Sequence, residues 1–210
     1  MCGELLIFDT NQQFATDRIS EHKIQAHAKA ILKVVFLDDG ERLVSVSADK
    51  TVRICSAVTG ECVRVFEGHS GEVNSVAIAS DNHRMISASE DGTLRIWDVD
   101  TGSCQGVLRG HSDIVWRVAV SPDCRIVASG AKDNTVRLWD LRSNECLHEL
   151  PHPNCVAAVA FSPEGSDLVV VYTCSYHRTK KGGQCTETRG IKNLHARAQR
   201  LRIVARNGGQ

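Results

Sequence analysis

Histidine, serine and aspartate recur together in this chain with fixed spacing. In each set the serine follows the histidine by 18 residues, and the aspartate follows the serine by four. These are the residue types of a serine-hydrolase triad. The sets are His27, Ser45 and Asp49; His69, Ser87 and Asp91; and His111, Ser129 and Asp133. Catalytic sites are not built in triplicate, and the chain has no Gly-x-Ser-x-Gly elbow. We therefore predict a structural role for all three sets and no enzymatic activity.

Metal and cofactor chemistry gains little support from the sequence. Cys174, His177, Cys185 and His195 lie near the end of the chain without a Cys-x-x-Cys pair, so their spacing does not favour zinc. The chain also lacks a glycine-rich loop of the kind that cradles phosphate. We predict no metal site, no cofactor and no small-molecule substrate.

The nine cysteines do not form the pattern of a disulfide-stabilised domain. Their number is odd, and Cys62, Cys104 and Cys146 share one phase of a repeat, so we expect each in a different unit. The N-terminal residues lack the basic and apolar segments of a signal peptide. We therefore expect unpaired thiols and an intracellular, cytoplasmic protein, with a nuclear location as the alternative. No apolar run approaches membrane-spanning length, so we expect no membrane partner.

Charge divides the chain near residue 171. The chain carries 25 Lys+Arg and 25 Asp+Glu, yet Glu187 is the only acidic residue after position 171. A basic segment of this kind can bind nucleic acid through phosphate contacts. Aromatic residues that could stack on bases are limited there to Tyr172 and Tyr176. We therefore predict that residues 172–210 form an irregular, disordered basic tail rather than a nucleic-acid-binding segment.

The three sets belong to a 42-residue period, which marks one supersecondary unit stacked on copies of itself. Each period holds four short strand signals separated by turn residues. In one unit the predicted strands are 73–79, 84–89, 93–98 and 104–108, and Asp91-Gly92 indicates a tight hairpin. We predict an all-β array over residues 1–171. Its full units are at about 27–68, 69–110 and 111–151, and its partial units are at 3–26 and 152–171.

The repeated motifs resemble those of WD-repeat proteins, which form β-propellers. Gly68-His69 recurs as Gly110-His111, and Trp97-Asp98 recurs as Trp139-Asp140. The resemblance implies a non-enzymatic scaffold or adaptor whose partners are other proteins or peptides. It also implies that histidine, serine, aspartate and tryptophan form a buried tetrad in each blade. Trp97 and Trp139 complete two tetrads, whereas Cys55 occupies the tryptophan position of the first unit.

The resemblance further implies where a partner binds. In this family the contacts come from two residues that flank the first apolar residue of the inner strand, and from the residue before the buried aspartate. In this chain these positions are Ala30, Leu32, Ala48, Glu72, Asn74, Glu90, Ile114, Trp116 and Lys132, with Cys155 and Ala157 in the last unit. Trp116 departs from the apolar phase of its strand. It is therefore either an exposed hot spot or a residue that packs on a neighbouring blade.

Two further expectations concern partners. Trp139, Asp140 and Arg142 fit a short Trp-Asp-x-Arg pattern of substrate receptors in cullin-RING ubiquitin ligases, whose arginine contacts the ligase adaptor. This is the alternative function. In addition, so few units hardly close a propeller, and an open array leaves two apolar faces bare. Either the chain is a fragment or isoform of a longer propeller, or two chains associate to close one ring.

Overall fold

The computed structural model describes residues 3–8, 21–174 and 195–202. These residues form seventeen β-strands and no helix, so no helix in the described ranges is long and apolar enough to cross a membrane. The strands are β1 (Gly3–Phe8), β2 (Glu21–His27), β3 (Ile31–Phe36), β4 (Arg42–Ser47), β5 (Val52–Ser56), β6 (Cys62–Phe66), β7 (Val73–Ile78), β8 (Arg84–Ser89), β9 (Thr93–Asp98), β10 (Cys104–Arg109), β11 (Val115–Val120), β12 (Ile126–Ala131), β13 (Thr135–Asp140), β14 (Cys146–Pro151), β15 (Val156–Phe161), β16 (Asp167–Cys174) and β17 (His195–Arg202).

Antiparallel pairing groups these strands into five sheets in chain order. Strands β1 and β2 form a partial blade, and β15 to β17 form a three-stranded blade 4. Between them, β3–β6, β7–β10 and β11–β14 form the four-stranded blades 1, 2 and 3. The first strand of each blade contacts the first strand of the next, which places these strands at the inner edge of the array. The predicted all-β array of three full and two partial blades is confirmed.

Local sequence explains the hairpins inside each blade. The residue between the second and third strands must adopt a left-handed backbone, which Gly92 does at φ 76°. Lys50 and Asn134 take the same place in blades 1 and 3, at φ 75° and 66°. The strands predicted at 84–89 and 93–98 are confirmed as β8 and β9.

The core consists of apolar clusters between consecutive sheets. Because side chains alternate along a strand, each sheet offers one apolar face to the preceding blade and one to the following blade. In β8, Met85 lies in one cluster with Val44 of blade 1, whereas its neighbour Ile86 lies in another with Val118 and Trp139 of blade 3. Each fully buried side chain of this size contributes about 1.5–3 kcal/mol through burial. Stacking between blades therefore holds the array together.

The structure corrects the predicted irregular tail at two places. Strand β16 runs through residue 174, and β17 pairs with it along its whole length, from Asp167 opposite Arg202 to Cys174 opposite His195. A free sheet edge accepts a strand through backbone hydrogen bonds, which need no apolar alternation in the partner. This is why β17 can form a strand although its sequence lacks the sustained apolar alternation that predicts one. His177 and Cys185 lie outside the described residues.

The structure also corrects the expectation that the thiols are unpaired. Cys55 and Cys62 form a disulfide between neighbouring positions of β5 and β6. The pairing register places each outer-strand cysteine opposite the tryptophan position of its blade, as with Trp97 and Cys104. In blade 1 that position holds a second cysteine, so the two sulfur atoms meet.

Candidate interaction face

Each full blade is braced by a buried polar network that includes the turn between its second and third strands. In blade 2 the His69 Nδ1 atom lies 2.9 Å from Asp91 Oδ2, and His69 Nε2 lies 2.7 Å from Ser87 Oγ. The Trp97 indole Nε1–H donates to the same serine oxygen at 2.8 Å. His69 comes from the loop before the blade, Ser87 from its second strand, Asp91 from the turn after that strand and Trp97 from its third strand. The predicted tetrad is therefore formed.

One set of donors and acceptors satisfies the whole network. The Asp91 carboxylate only accepts, so His69 must donate from Nδ1, and its neutral Nε2 then accepts the Ser87 hydroxyl proton. The serine oxygen in turn accepts the indole proton of Trp97. No buried polar atom of this chain of bonds is left unpaired, which is the condition for tolerating such a network in a core.

The other two full blades repeat this geometry with one exception. In blade 3 the His111 ring lies 2.8 Å from Asp133 and 2.7 Å from Ser129, which accepts from Trp139 at 2.8 Å. In blade 1 the corresponding distances from the His27 ring are 3.0 Å to Asp49 and 2.8 Å to Ser45. Cys55 cannot supply the indole donor, so blade 1 has a triad instead of a tetrad.

The distances in these sets are those of a hydrolase triad, but their accessibility is not. Ser45, Ser87 and Ser129 are all fully buried. A nucleophilic serine must reach a substrate, and these hydroxyls are enclosed between sheets. The sets therefore act as braces. Among the described residues, no group of histidine, cysteine, aspartate or glutamate side chains is arranged to hold a metal ion.

Sequence reasoning missed a fifth member of the network. Thr93 donates to Asp91 Oδ1 from its backbone N–H at 3.0 Å and from its hydroxyl at 2.6 Å. Thr51 and Thr135 make the same two bonds in blades 1 and 3. The signal was available, because a threonine follows each aspartate by two residues in the same phase of the repeat.

These bonds control the ionisation of the buried groups. Burial opposes ionisation of Asp49, but hydrogen bonds from Thr51, Ala28 and His27 outweigh it and lower its pKa to about 2. Burial likewise opposes ionisation of Asp91, yet bonds from His69 and Thr93 hold its pKa well below the ordinary range. For His27 and His111 burial dominates and lowers the pKa below 6.5, although the neighbouring aspartate partly opposes this effect. Blades 1 and 3 thus favour neutral imidazole beside ionised carboxylate.

A β-bulge shapes the inner strand of every blade. The pairing of the first and second strands shifts register between Ile31 and Lys33, and the shift recurs at the equivalent place in β7, β11 and β15. The extra residue in each bulge has no partner across the ladder, so its side chain does not follow the regular alternation between the two faces of the sheet. These residues are Leu32, Asn74, Trp116 and Ala157. All four are predicted contact positions.

A backbone hydrogen bond brings the remaining contact positions together within each blade. The amide of Glu90 donates to the carbonyl of Glu72 at 2.9 Å, and the amide of Lys132 donates to that of Ile114 at 2.9 Å. The equivalent bond from Ala48 to Ala30 is 3.0 Å. In each case the donor residue immediately precedes the buried aspartate of its blade. The buried network therefore holds these predicted contact positions in place.

Blade 4 extends the same arrangement. The amide of Thr173 donates to the carbonyl of Cys155 at 2.9 Å, which makes Thr173 the counterpart of Lys132. Sequence analysis missed Thr173 because the blade has no aspartate to mark the position.

The nine predicted residues differ in accessibility. Ala30, Leu32, Glu90 and Lys132 are exposed, whereas Ala48 is buried. The other four residues are half-buried: Glu72, Asn74, Ile114 and Trp116. Trp97 and Trp139 are buried in the core, so Trp116 is the tryptophan with accessible surface. We call these predicted residues, with the exception of the buried Ala48, the contact face.

The electrostatics of the contact face change from blade to blade. Blade 2 contributes two carboxylates, Glu72 and Glu90, and no salt bridge engages either within the described part of the chain. In blade 3, Lys132 lies 3.5 Å from Asp113, so that positive charge has a local partner. Asn74 donates to the carbonyl of Val115 at 3.2 Å, directly before Trp116. The acidic groups of blade 2 and Trp116 of blade 3 therefore belong to adjacent blades.

The Trp-Asp-x-Arg pattern offers a single accessible side chain. Trp139 is buried in its tetrad, and the Asp140 carboxylate accepts the backbone amides of Arg142 and Ser143 at 2.7 and 3.0 Å. Arg142 itself is exposed. Trp139 and Asp140 thus make their contacts within the blade.

We predict that Asp91→Ala destabilises the fold. The substitution removes the acceptor for His69, Ser70 and Thr93, and each buried orphan donor costs about 1–3 kcal/mol. For a chain of this size the melting temperature should fall by about 3–10 °C in a circular-dichroism melt. Asp100→Ala is the matched control, because that carboxylate pairs with His83 at the surface. Equal melting of Asp91→Ala and the parent would refute the bracing role.

We also predict that stability declines in acid in two stages. His27 and His111 have lowered pKa values when folded, so below about pH 6.5 the unfolded chain binds more protons and stability falls. The aspartates have lowered pKa values too, so their contribution, complete above pH 3.8, is lost as the pH falls towards 2. Urea unfolding at a series of pH values measures both stages. A stability that stays constant from pH 8 to pH 4 would contradict this.

Comparison with known families agrees with the geometry. The model of the family described as WD domain, G-beta repeat matches residues 19–56, 60–98 and 102–140, more than half of the chain. Each matched segment begins at the outer strand of one blade and ends with the third strand of the next. The sequence repeat is therefore offset from the structural blade by one strand, so neighbouring blades share each repeat. This chain belongs to the WD-repeat family.

Proposed function

We propose that the protein is a non-enzymatic intracellular scaffold whose contact face binds a segment of another protein. The main support for this proposal is the half-buried Trp116, which lies in a bulge of β11 directly after the Val115 carbonyl that Asn74 of blade 2 contacts. WD repeats in general mediate protein–protein interaction, and the repeated brace gives the face a rigid support. Rigid aromatic side chains are the commonest energetic centres of such interfaces.

The chemistry of the face favours a basic side chain on the partner. A lysine or arginine over the Trp116 indole gains cation–π attraction, which rises when the pair is desolvated. Glu72 and Glu90 supply negative charge from the adjacent blade, and no salt bridge among the described residues engages either carboxylate. Lys132 is already paired with Asp113 and adds little repulsion. We therefore propose a partner segment that presents arginine or lysine.

An array of short peptides tests this preference. The peptides differ only at a central residue, which is arginine, lysine, glutamine or glutamate, and binding of the labelled parent chain is recorded. We expect arginine and lysine peptides to bind best. Trp116→Ala should weaken that binding by about tenfold or more, because a buried aromatic anchor contributes about 2 kcal/mol.

Two variants make the array decisive. Leu147→Ala removes an exposed apolar side chain from an outer strand and should bind like the parent. Glu90→Gln should reduce the preference for basic peptides without abolishing binding. A parent that binds glutamate peptides best, or unchanged binding to Trp116→Ala, would overturn the proposal.

The ubiquitin-ligase alternative has narrower support. It depends on Arg142, since Trp139 and Asp140 are occupied within the blade. One exposed arginine does not distinguish a ligase receptor from other WD-repeat proteins. We therefore place the general scaffold first.

A specific observation favours self-association as a second property. Val34, on the leading face of blade 1, is 39% exposed, whereas its counterparts Val76 and Val118 are 0% and 4% exposed. Val169, on the trailing face of blade 4, is 38% exposed, whereas its counterpart Ile86 is 0% exposed. The partial blade covers Leu43 and Cys55 on the leading face of blade 1, but Val34 stays exposed there. Val34 and Val169 therefore occupy positions that are buried where blades 1 to 4 stack on one another. We propose that one chain stacks its trailing face on the leading face of another.

Light scattering on two charge variants tests this head-to-tail arrangement. Val34→Glu and Val169→Glu should each abolish self-association, because each buries a charge in the junction. An equimolar mixture should form a dimer, since one intact leading face meets one intact trailing face. Leu147→Glu, an equally exposed site on an outer strand, should associate like the parent. Association by Val169→Glu alone would indicate contact between like faces and refute the head-to-tail arrangement.

A further inference from the structure

Blade 1 differs from blades 2 and 3 at the position where they hold an indole. Trp97 and Trp139 each fill the space between sheets and donate to a buried serine. Cys55 in blade 1 is fully buried in the same position and lies in an apolar cluster with Ile24 and Leu43. A thiol has far less volume than an indole and does not make that bond to Ser45. Blade 1 thus lacks a fastening that the other two blades possess.

A covalent bond occupies the position of the missing fastening. Cys62 on the outer strand pairs with Cys55 in the register in which Cys104 pairs with Trp97, and the two cysteines form a disulfide. The bond links β5 to β6 at the bulge between these strands. In blades 2 and 3 the corresponding Cys104 and Cys146 are free and exposed, with no cysteine opposite.

We propose that Cys55 and Cys62 form a reversible thiol–disulfide site that sets the stability of blade 1. The oxidant in this reaction is oxidised glutathione. In the forward direction the Cys62 thiolate attacks it, which forms a mixed disulfide and releases one glutathione thiolate. The Cys55 thiolate then attacks Cys62 Sγ and releases the second.

The two steps balance. Two protein thiols lose two protons and two electrons and gain one S–S bond. Oxidised glutathione loses its S–S bond and becomes two molecules of reduced glutathione. The order follows from accessibility, because Cys62 is half-buried and Cys55 is fully buried. In a reducing compartment the dithiol form is favoured. Blade 1 then has neither an indole nor a disulfide at this position.

Peptide mass mapping of the full chain tests the site directly. The protein is equilibrated with oxidised or reduced glutathione and alkylated while folded. After oxidation we expect Cys55 and Cys62 to be protected in one linked peptide that is two hydrogens lighter. Cys104 and Cys146, as exposed thiols, should form no link to each other. Equal alkylation of Cys55, Cys62, Cys104 and Cys146 after oxidation would overturn the proposal.

Melting and hydrogen exchange test the consequence. Reduction should lower the melting temperature of the parent by about 4–10 °C, the range expected for loss of one disulfide in a chain of this size. Amide exchange should accelerate in β6 and leave β10 and β14 unchanged, because those outer strands have no disulfide. Exchange that accelerates equally in β6, β10 and β14 would refute a site confined to blade 1.

Two variants separate this site from other thiol effects. Cys55→Trp restores the residue type of the other blades, so its melting should not respond to reduction. The double variant with Cys55→Ser and Cys62→Ser should also lose the response, and it serves if the indole cannot be accommodated. A response to reduction that persists in the double variant would assign the effect to other cysteines and refute the proposal.

Discussion

The structure depends on one buried carboxylate in each full blade. Asp49, Asp91 and Asp133 each accept bonds from the histidine that precedes the first strand of the blade and from the threonine at or just before the start of its third strand. The histidine is far in sequence from the turn that carries the aspartate, and the hydrogen bond between the two residues joins these segments. Because the residue before each aspartate belongs to the contact face or borders it, the same carboxylate fixes both the blade and the surface above it.

This arrangement separates the tasks of the repeat. The braces and the apolar faces are nearly identical from blade to blade, because every blade must pack on the same kind of neighbour. The bulge residues are not constrained by the ladder, so Leu32, Asn74 and Trp116 differ in chemistry although their backbones are equivalent. A rigid interior that repeats and a surface that varies are what a scaffold for proteins requires.

The exceptions to the repeat lie in blades 1 and 4. Blade 1 replaces its indole with a cysteine, and blade 4 lacks the serine and aspartate of the network. His152, at the histidine position of blade 4, stacks on Tyr172 instead, with ring centroids 5.6 Å apart. Burial lowers the pKa of His152, with no carboxylate to oppose the effect. Blades 1 and 4 are thus fastened by different interactions from blades 2 and 3.

The sequence alone determined the fold class and the number of blades, through its 42-residue period and alternating strands. The resemblance to the WD-repeat family predicted the membership of the tetrads. Only the tertiary structure revealed the Cys55–Cys62 disulfide, the bulges that direct Leu32 and Trp116, the burial of Ala48 and the pairing of β17. Each of these depends on register between strands or on what a neighbouring sheet covers, and neither is encoded in the spacing of residues along the chain.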